Sequence, residues 1–358
     1  MSTIVQRRNT NHRTGGRVDI ARADWSRLPF LEDSFDRVIA SNIIYFWEKP
    51  HESLSEIHRV LKASGKLTII FQPISPTNQA KYLSYGYVTY SQETVIQLLN
   101  DNGFRIIDVL SKEEAFEIRN EIENIEKNWP DELEGLGRNY IHLISPIFDK
   151  ICHNKKILDA VESIIGKNIL VCGTTLFIKN PEQKGFVSFH QDAKYIGLEP
   201  YNWVTAWVAV TDSNEENGCK RMWPGSHKEK IKHHNQKFDE NNLLTRGQTV
   251  ENVPLNETEP VILLAGQMSL HHPTVVHGSG INKSNDRRIG FVVQSYIGTD
   301  VDQVIGKMYV QQARGNDEFK YHKHVGRPIE LMNQKDIQIR KKANDELSKI
   351  FYTGSTQK

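Results

Sequence analysis

From Ile169 to Ile297 the chain is a succession of short strand-like runs divided by turn residues, and this feature most limits what it can fold into. The runs are Ile169–Lys179, Phe186–Gln191, Trp203–Asp212, Pro260–Leu264, Met268–His271 and Ile289–Ile297. In the third, Val204, Ala206, Val208 and Val210 alternate with Thr205, Trp207 and Ala209. That period of two turns one set of side chains in and the other out. Helical segments come first. Ser111-Lys-Glu-Glu114 fits a capping box ahead of a helix to about Lys127, closed by Trp129-Pro130. A second helix is predicted over Ile147–Ile165, with Gly166 as its stop. Short strands after helices predict an α+β double-stranded β-helix, a jelly roll with a helical flank.

At 358 residues the chain is longer than the roughly 100–200 residues of one usual domain, and the part before Ser111 is patterned differently. Phe35–Ser41 reads as a strand, and His51–Leu61 as a helix with Leu54, Ile57 and Leu61 on one face. Lys62–Gly65 is its stop, and Lys66–Phe71 is a second strand. Ser91 caps a further helix that Asn102-Gly103 ends, and Phe104–Val109 is a third strand. A β–α–β–α–β order implies an α/β layer with a mainly parallel sheet. The expected organisation is a polar tail over 1–18, an α/β segment over 19–110 and the jelly roll over 111–358. Composition removes some functions. A net charge of +1 argues against a generic nucleic-acid surface. Cys152, Cys172 and Cys219 form no C-x-x-C pair, which suggests neither a zinc knuckle nor a disulfide framework. No run approaches the ~18 apolar residues of a membrane span, and the basic N-terminal segment lacks the apolar core of a secretory signal. The cytoplasm is the expected location.

His190-Gln191-Asp192 is the triplet that points to chemistry. On an extended segment, residues two apart face the same side, so an imidazole and a carboxylate are offered together. A second histidine from a distant strand would complete a two-His, one-carboxylate facial triad, whose open positions suit iron(II) oxygen chemistry. An H-x-D alone is a weak signal. His277 ends an apolar run and enters a Gly-Ser-Gly turn, while His271 and His272 are rivals on chemistry alone. Arg287 and Arg288 open the strand-like run that follows. An arginine inside a barrel is costly unless paired, and its planar fork suits a carboxylate.

The segment HQDAKYIGLEPYNWVTAWVAVTDSNEENGCKRMWPGSHK, with AGQMSLHHPTVVHGSGINKSNDRRIG after it, resembles the phytanoyl-CoA dioxygenase family of Fe(II)/2-oxoglutarate oxygenases over about residues 111–300. The resemblance implies iron(II) ligation by His190, Asp192 and His277, and a grip by Arg288 on the far carboxylate of 2-oxoglutarate. Family spacing favours Arg288 over Arg287. Trp207 and Gln191 become candidate cosubstrate-lining residues. Ser279 supports the turn, and His227 in Pro-Gly-Ser-His is architecture. His233-His234 is expected to be solvated in a charged loop. The activity implied is O2-dependent hydroxylation of a small or carrier-bound organic molecule, with release of succinate and CO2. Halogenating relatives carry a small residue where Asp192 stands. The long polar loop between His227 and Pro254 is either a lid or disordered.

The run DWSRLPFLEDSFDRVIASNIIYFWEKPHESLSEIHRVLKASGKLTII is similar to the later part of a class I S-adenosylmethionine-dependent methyltransferase, which implies a partial Rossmann-like unit with Asp24 at an adenine-contacting position. No strand and Gly-rich loop precede Asp24, and Gly15-Gly16 is no substitute. The segment is therefore expected to be a remnant. Its open sheet edge would pack on the second domain, pair with another chain (a route to self-association) or leave the segment partly mobile. Three functions stay in view. The leading one is the hydroxylase. The second is a methyltransferase completed by a partner chain, which S-adenosylmethionine binding would reveal. The third is a non-catalytic binding protein, which would release no succinate.

Overall fold

The computed structural model describes residues 27–41, 50–70 and 104–352, apart from 182, 230, 237, 245 and 246. The chain divides into two compact units, Met1–Leu99 and Asn100–Lys358.

In the first unit, β1 (Phe35–Ser41) and β2 (Leu61–Ile70) pair in parallel, with the helix Pro50–Val60 between them in sequence. Ile57 and Val60 of that helix are buried. Glu56 ties its outer side down, accepting from the Leu28 amide at 2.8 Å and from Arg59 Nε at 2.9 Å. The second strand starts at Leu61, straight out of the helix, rather than at Lys66. This is one β–α–β unit. Asp24, Gly15-Gly16 and the helix expected after Ser91 lie outside the described residues.

The third strand of the expected α/β layer forms as β3 (Phe104–Asp108), but with a different partner. It pairs antiparallel with the strand Gln267–His271, from Phe104↔His271 to Asp108↔Gln267, inside the second unit. The Val109 and Leu110 amides extend the pairing onto the Gly266 carbonyl at 3.1 and 2.9 Å. Alternation identifies a strand and not its neighbour, which long-range packing selects.

The second unit continues with β4 (Ile169–Val171) and β5 (Thr174–Lys179), one predicted run split at Gly173, whose φ of +94° suits glycine. Then come β6 (Val187–His190), β7 (Leu198–Glu199), β8 (Trp203–Ala209), β9 (Lys220–Met222), β10 (Asn235–Gln236), β11 (Gln248–Thr249) and β12 (Glu259–Val261). The series closes with β13 (Gln267–His271), β14 (His277–Ser279), β15 (Arg288–Gly298), β16 (Asp302–Gln303), β17 (Tyr309–Arg314) and β18 (Lys323–His324). The larger sheet runs β18-β17-β4-β15-β8-β13-β3, with β5 also on β15, and the smaller runs β12-β9-β14-β6.

Strand β8 shows how the layers stack. Val204, Ala206 and Val208 pack with Ile118, Ile122, Phe148 and Val161 of the flanking helices. Trp207 and Ala209 meet Met222, Val261 and Val275 from the smaller sheet and its surroundings. Both faces of β8 are therefore buried, where the alternation predicted one face out. The helix Lys112–Asn128 carries the predicted capping box: Ser111 Oγ accepts from the Glu114 amide at 3.1 Å, and the Ser111 amide donates to Glu114 Oε2 at 2.8 Å. The single helix predicted over 147–165 is instead two, Pro146–Cys152 and Lys155–Ile165. Asn154 breaks it by capping the second, its Oδ1 accepting from the Lys156 amide at 2.9 Å. A helix over Gln334–Tyr352 sets Leu347 and Ile350 in a further core with Tyr140, Leu198 and Trp203. No helix among the described residues is long and apolar enough to cross a membrane.

Candidate metal centre

Strands β6 and β14 are hydrogen-bonded neighbours, and in their register His190 stands opposite His277. The two imidazole centroids are 4.3 Å apart. So close an approach depends on Gly278, where a Cβ would come within 2.9 Å of the Val187 carbonyl oxygen and 3.0 Å of the Phe189 nitrogen. After His190 the chain leaves the strand. Asp192 has helical dihedrals (φ −56°, ψ −41°) and precedes the short helix Ala193–Ile196. The carboxylate thus joins His190 through a turn, not through the extended geometry expected of an H-x-D. Asp192 Oδ1 lies 3.3 Å from His190 Nε2 and 3.9 Å from His277 Nε2. One donor atom from each of the three residues fits within 4.8 Å of the others.

The orientation of each donor is fixed by its other end. His190 Nδ1 bonds the Ser188 carbonyl at 2.8 Å, and His277 Nδ1 bonds the Val275 carbonyl at 3.1 Å. A carbonyl requires an N–H, so each Nε2 is left as a lone pair facing the cluster. Asp192 Oδ2 takes the Thr205 hydroxyl at 2.9 Å and faces His271 Nε2 at 3.3 Å, so Oδ1 turns toward the two histidines. Burial would raise the Asp192 carboxyl, but the facing His277, His190 and His271 outweigh it and hold it well below the usual range. Burial, then the neighbouring His190, keeps His277 neutral. Metal binding requires an ionised carboxylate and neutral imidazoles, and the directions for Asp192 and His277 agree with that. Two imidazoles and one carboxylate on one side of a cavity fit a divalent metal with open positions.

That cavity, about 450 Å³, lies between the sheets and is lined by the three residues together with Trp207, Lys220 and Arg288. Its size suits a small ligand. Arg288 is 1% exposed, and its Nε and Nη1 find no hydrogen-bond partner among the described residues. Its guanidinium lies 5.2 Å from the Trp207 ring centroid, and burial lowers its pKa to about 10. Arg287 points the other way, gripping both Glu126 carboxylate oxygens at 2.9 and 2.6 Å. Strand alternation sorts the arginine pair, one inward and one outward.

The remaining sequence candidates divide. Trp207 lines the cavity; Gln191 does not. Its side chain donates to the Thr274 carbonyl at 2.6 Å and accepts from the Lys232 amide at 2.8 Å, because the residue between two inward-facing ones faces away. His272 is bonded to Thr274 Oγ1 at 2.7 Å. His271 holds Asp192 from behind, with its Nδ1 unpartnered among the described residues. His234, expected in solvent, is buried; its Nε2 accepts from the Gln191 amide at 3.0 Å and its ring meets Tyr195 edge-on. His233 is exposed. Ser279 does support its turn, accepting from Lys179 Nζ at 2.7 Å. Lys179 also donates to the Gly280 carbonyl, and burial lowers its pKa to about 6. In the long polar loop, β10 and β11 pair, Ser188 Oγ holds the Gln248 carbonyl at 2.5 Å, and Leu243, Leu244 and Gln248 form part of the cavity wall. Sequence reading missed Thr205, Lys179 and Lys220. For Thr205 a signal was present, since it shares the alternation of Trp207.

Residues 99–290 match the family model described as Phytanoyl-CoA dioxygenase (PhyH), and residues 1–69 match one described as Methyltransferase domain. A probable alpha-ketoglutarate-dependent hypophosphite dioxygenase of Stutzerimonas stutzeri is 28% identical over 238 residues, covering 64% of this chain and 80% of that protein. The peroxisomal phytanoyl-CoA dioxygenase of Bos taurus is 27% identical over 216 residues, covering 52% of this chain and 63% of the bovine one, under two thirds of its length. Among solved structures, the apo form of the non-heme monooxygenase ThoJ has a TM-score of 0.65 at 28% identity, covering 73% of this chain and 98% of ThoJ. CytC3 with Fe(II) and alpha-ketoglutarate has a TM-score of 0.50 at 20% identity, covering 66% of this chain and 93% of CytC3, a likeness of fold.

Proposed function

We infer the activity from one premise: the chain belongs to the phytanoyl-CoA dioxygenase family, and its second unit has the jelly-roll fold of 2-oxoglutarate-dependent oxygenases. We propose an Fe(II)/2-oxoglutarate-dependent dioxygenase that hydroxylates a small or carrier-bound organic molecule and releases succinate and CO2. The observation that carries this reading is Arg288, a buried cation with unsatisfied donors in the cavity that the His190, Asp192 and His277 donors face. Such a group is stable only against an anion that the protein itself does not supply.

In this reading His190, Asp192 and His277 hold the iron, and Arg288 on Trp207 receives the far carboxylate of the keto acid. Iron with 2-oxoglutarate then supplies oxidation of a substrate C–H bond by O2, coupled to loss of CO2 from the keto acid. The protein's part is placement. Backbone carbonyls pin both imidazole tautomers, and Thr205 with His271 keeps Asp192 Oδ2 occupied so that Oδ1 serves the metal. Trp207 and the apolar wall around it exclude water from the site. Asp192 fills the position that halogenation requires empty, which favours hydroxylation.

Absorbance under anaerobic conditions tests this. Fe(II) and 2-oxoglutarate together should give a metal-to-ligand charge-transfer band, and admission of O2 should yield succinate. Asp192→Ala should lose both; a variant that keeps both at full strength removes the carboxylate from the metal. Arg288→Leu loses a charge-assisted contact of about 1.5–3 kcal/mol, so the 2-oxoglutarate requirement should rise about 10- to 100-fold with little change for iron. Equal effects on the two would count against its role. A second reading, a methyltransferase completed by a partner chain, draws on the match of residues 1–69. Stoichiometric S-adenosylmethionine binding in equilibrium dialysis would support it, and none would leave those residues a remnant.

A further inference from the structure

Lys220 is a second buried basic side chain in the same cavity, and the family reading leaves it without a charge partner. It sits on β9, in register with Ser279 of β14 and Val261 of β12. Its neighbour Arg221 turns outward to Glu215 and Thr258, so alternation sends Lys220 inward. The side chain crosses between the sheets, 7% exposed. Its Nζ donates to Ser269 Oγ at 2.9 Å and lies 5.2 Å from the Trp207 centroid. An ammonium has three donors, and this is one bond, to a neutral acceptor. Lys220 forms no ion pair among the described residues and lines the cavity that Asp192, His277 and Arg288 also line. Burial holds the Lys220 amine well below the usual lysine range, with Asp192 attracting its charged form and Arg288 repelling it, so the pocket lacks the counter-charge that would keep it an ammonium.

A count of charge decides what Lys220 meets. In the proposed complex, the two charges of a ferrous ion and the one on Arg288 are cancelled by Asp192 and the doubly charged keto acid. Imidazoles that bind a metal do so in the neutral form and add no charge. A protonated Lys220 would therefore be surplus by one positive charge, in a place where an unmatched ion is expensive, and only a further anion in the cavity would offset it. Its placement is also distinct, since its Nζ bonds Ser269 on β13, on one side of β8, while Arg288 comes from β15 on the other. We propose that Lys220 anchors an anionic oxygen group, a carboxylate or similar monoanion, carried by the primary substrate. This inference rests on the iron and keto-acid reading above and names the substrate class for that site.

The test starts from protein loaded anaerobically with Fe(II) and saturating 2-oxoglutarate. Acetate and methanesulfonate are the probes, acetamide is the neutral control, and the position of the charge-transfer band is the readout. Both anions should shift the band saturably, and acetamide should not. Lys220→Met and Lys220→Gln should each weaken the anion response about tenfold or more, with 2-oxoglutarate titrations within about twofold of wild type. The glutamine variant keeps a donor for Ser269 and loses only the charge, so an undiminished response there overturns the proposal. So does a tenfold loss of 2-oxoglutarate affinity with the anion response intact, which would give Lys220 to the cosubstrate. A wild-type band that no anion moves defeats the proposal without recourse to any variant. A wild type with no band defeats the iron reading itself, a separate outcome.

Discussion

Gly290 shows how much of the cavity is decided by the absence of a side chain. It lies two residues beyond Arg288 on β15, on the same side of the strand, and a Cβ there would run into the Trp207 ring. That ring is the surface on which Arg288 and Lys220 both rest, each 5.2 Å from its centroid. An indole under a desolvated cation is worth about 2 kcal/mol, part of which a displaced ring would forfeit. Gly290→Ala should displace the indole and loosen Arg288, raising the 2-oxoglutarate requirement about tenfold. Iron binding should persist, because the orientation of His190, Asp192 and His277 is set by Ser188, Val275, Thr205 and His271 and not by that ring. A titration showing an unaltered 2-oxoglutarate requirement would mean that Trp207 can move aside at no cost and that its stacking is incidental.

Among the elements, the helix Lys112–Asn128 offers the cleanest single test. Its N-terminus closes by the reciprocal Ser111–Glu114 bonds, and Ile118, Ile122 and Ile125 bury its inner face against the larger sheet. Ser111→Ala removes the cap without touching that face, and should cost about 1 kcal/mol in denaturant unfolding. A midpoint equal to wild type would show that packing alone holds the helix end. The capping box was legible because it is a matter of four consecutive residues. So were the alternation of β8 and the H-x-D and H-G-S-G motifs. What stayed illegible depends on distant groups. The strand Phe104–Asp108 could be read, but its antiparallel partner β13 lies more than 150 residues away. Asp192 reached its place through a helical turn that the triplet does not encode. Lys220 could not be singled out, because nothing in the residues around it marks which strand covers it. Asn154 is the opposite case, since a cap residue in mid-helix was a local signal that apolar periodicity obscured.

At the scale of the whole molecule, buried bases tie stability to pH. Burial is the leading cause in each case: it lowers His142 to about 3, His234, His271 and His272 to about 4, and Lys179 to about 6. The unfolded reference values are about 6.5 for histidine and 10.4 for lysine. Below the unfolded value the open chain takes up protons that the native state refuses, so stability falls as pH falls and levels off near the folded pKa. Lys179 therefore acts between about pH 10 and 6, and the histidines between about 6.5 and 4. His142 isolates the second window. It is fully buried away from the cavity, with Nδ1 on Thr174 Oγ1 at 2.8 Å and Nε2 unpartnered among the described residues. Each refused proton contributes about 1.4 kcal/mol per pH unit. Denaturant unfolding of metal-free protein should thus show stability dropping steeply from pH 6.5 to 5, above the carboxylate range. His142→Gln removes one of the protons involved and should flatten that slope by about 1 kcal/mol per pH unit. A variant that merely shifts the whole curve down, with the slope unchanged, would mean that the native protein already accommodates a charged imidazole at this position and that the pH dependence arises elsewhere.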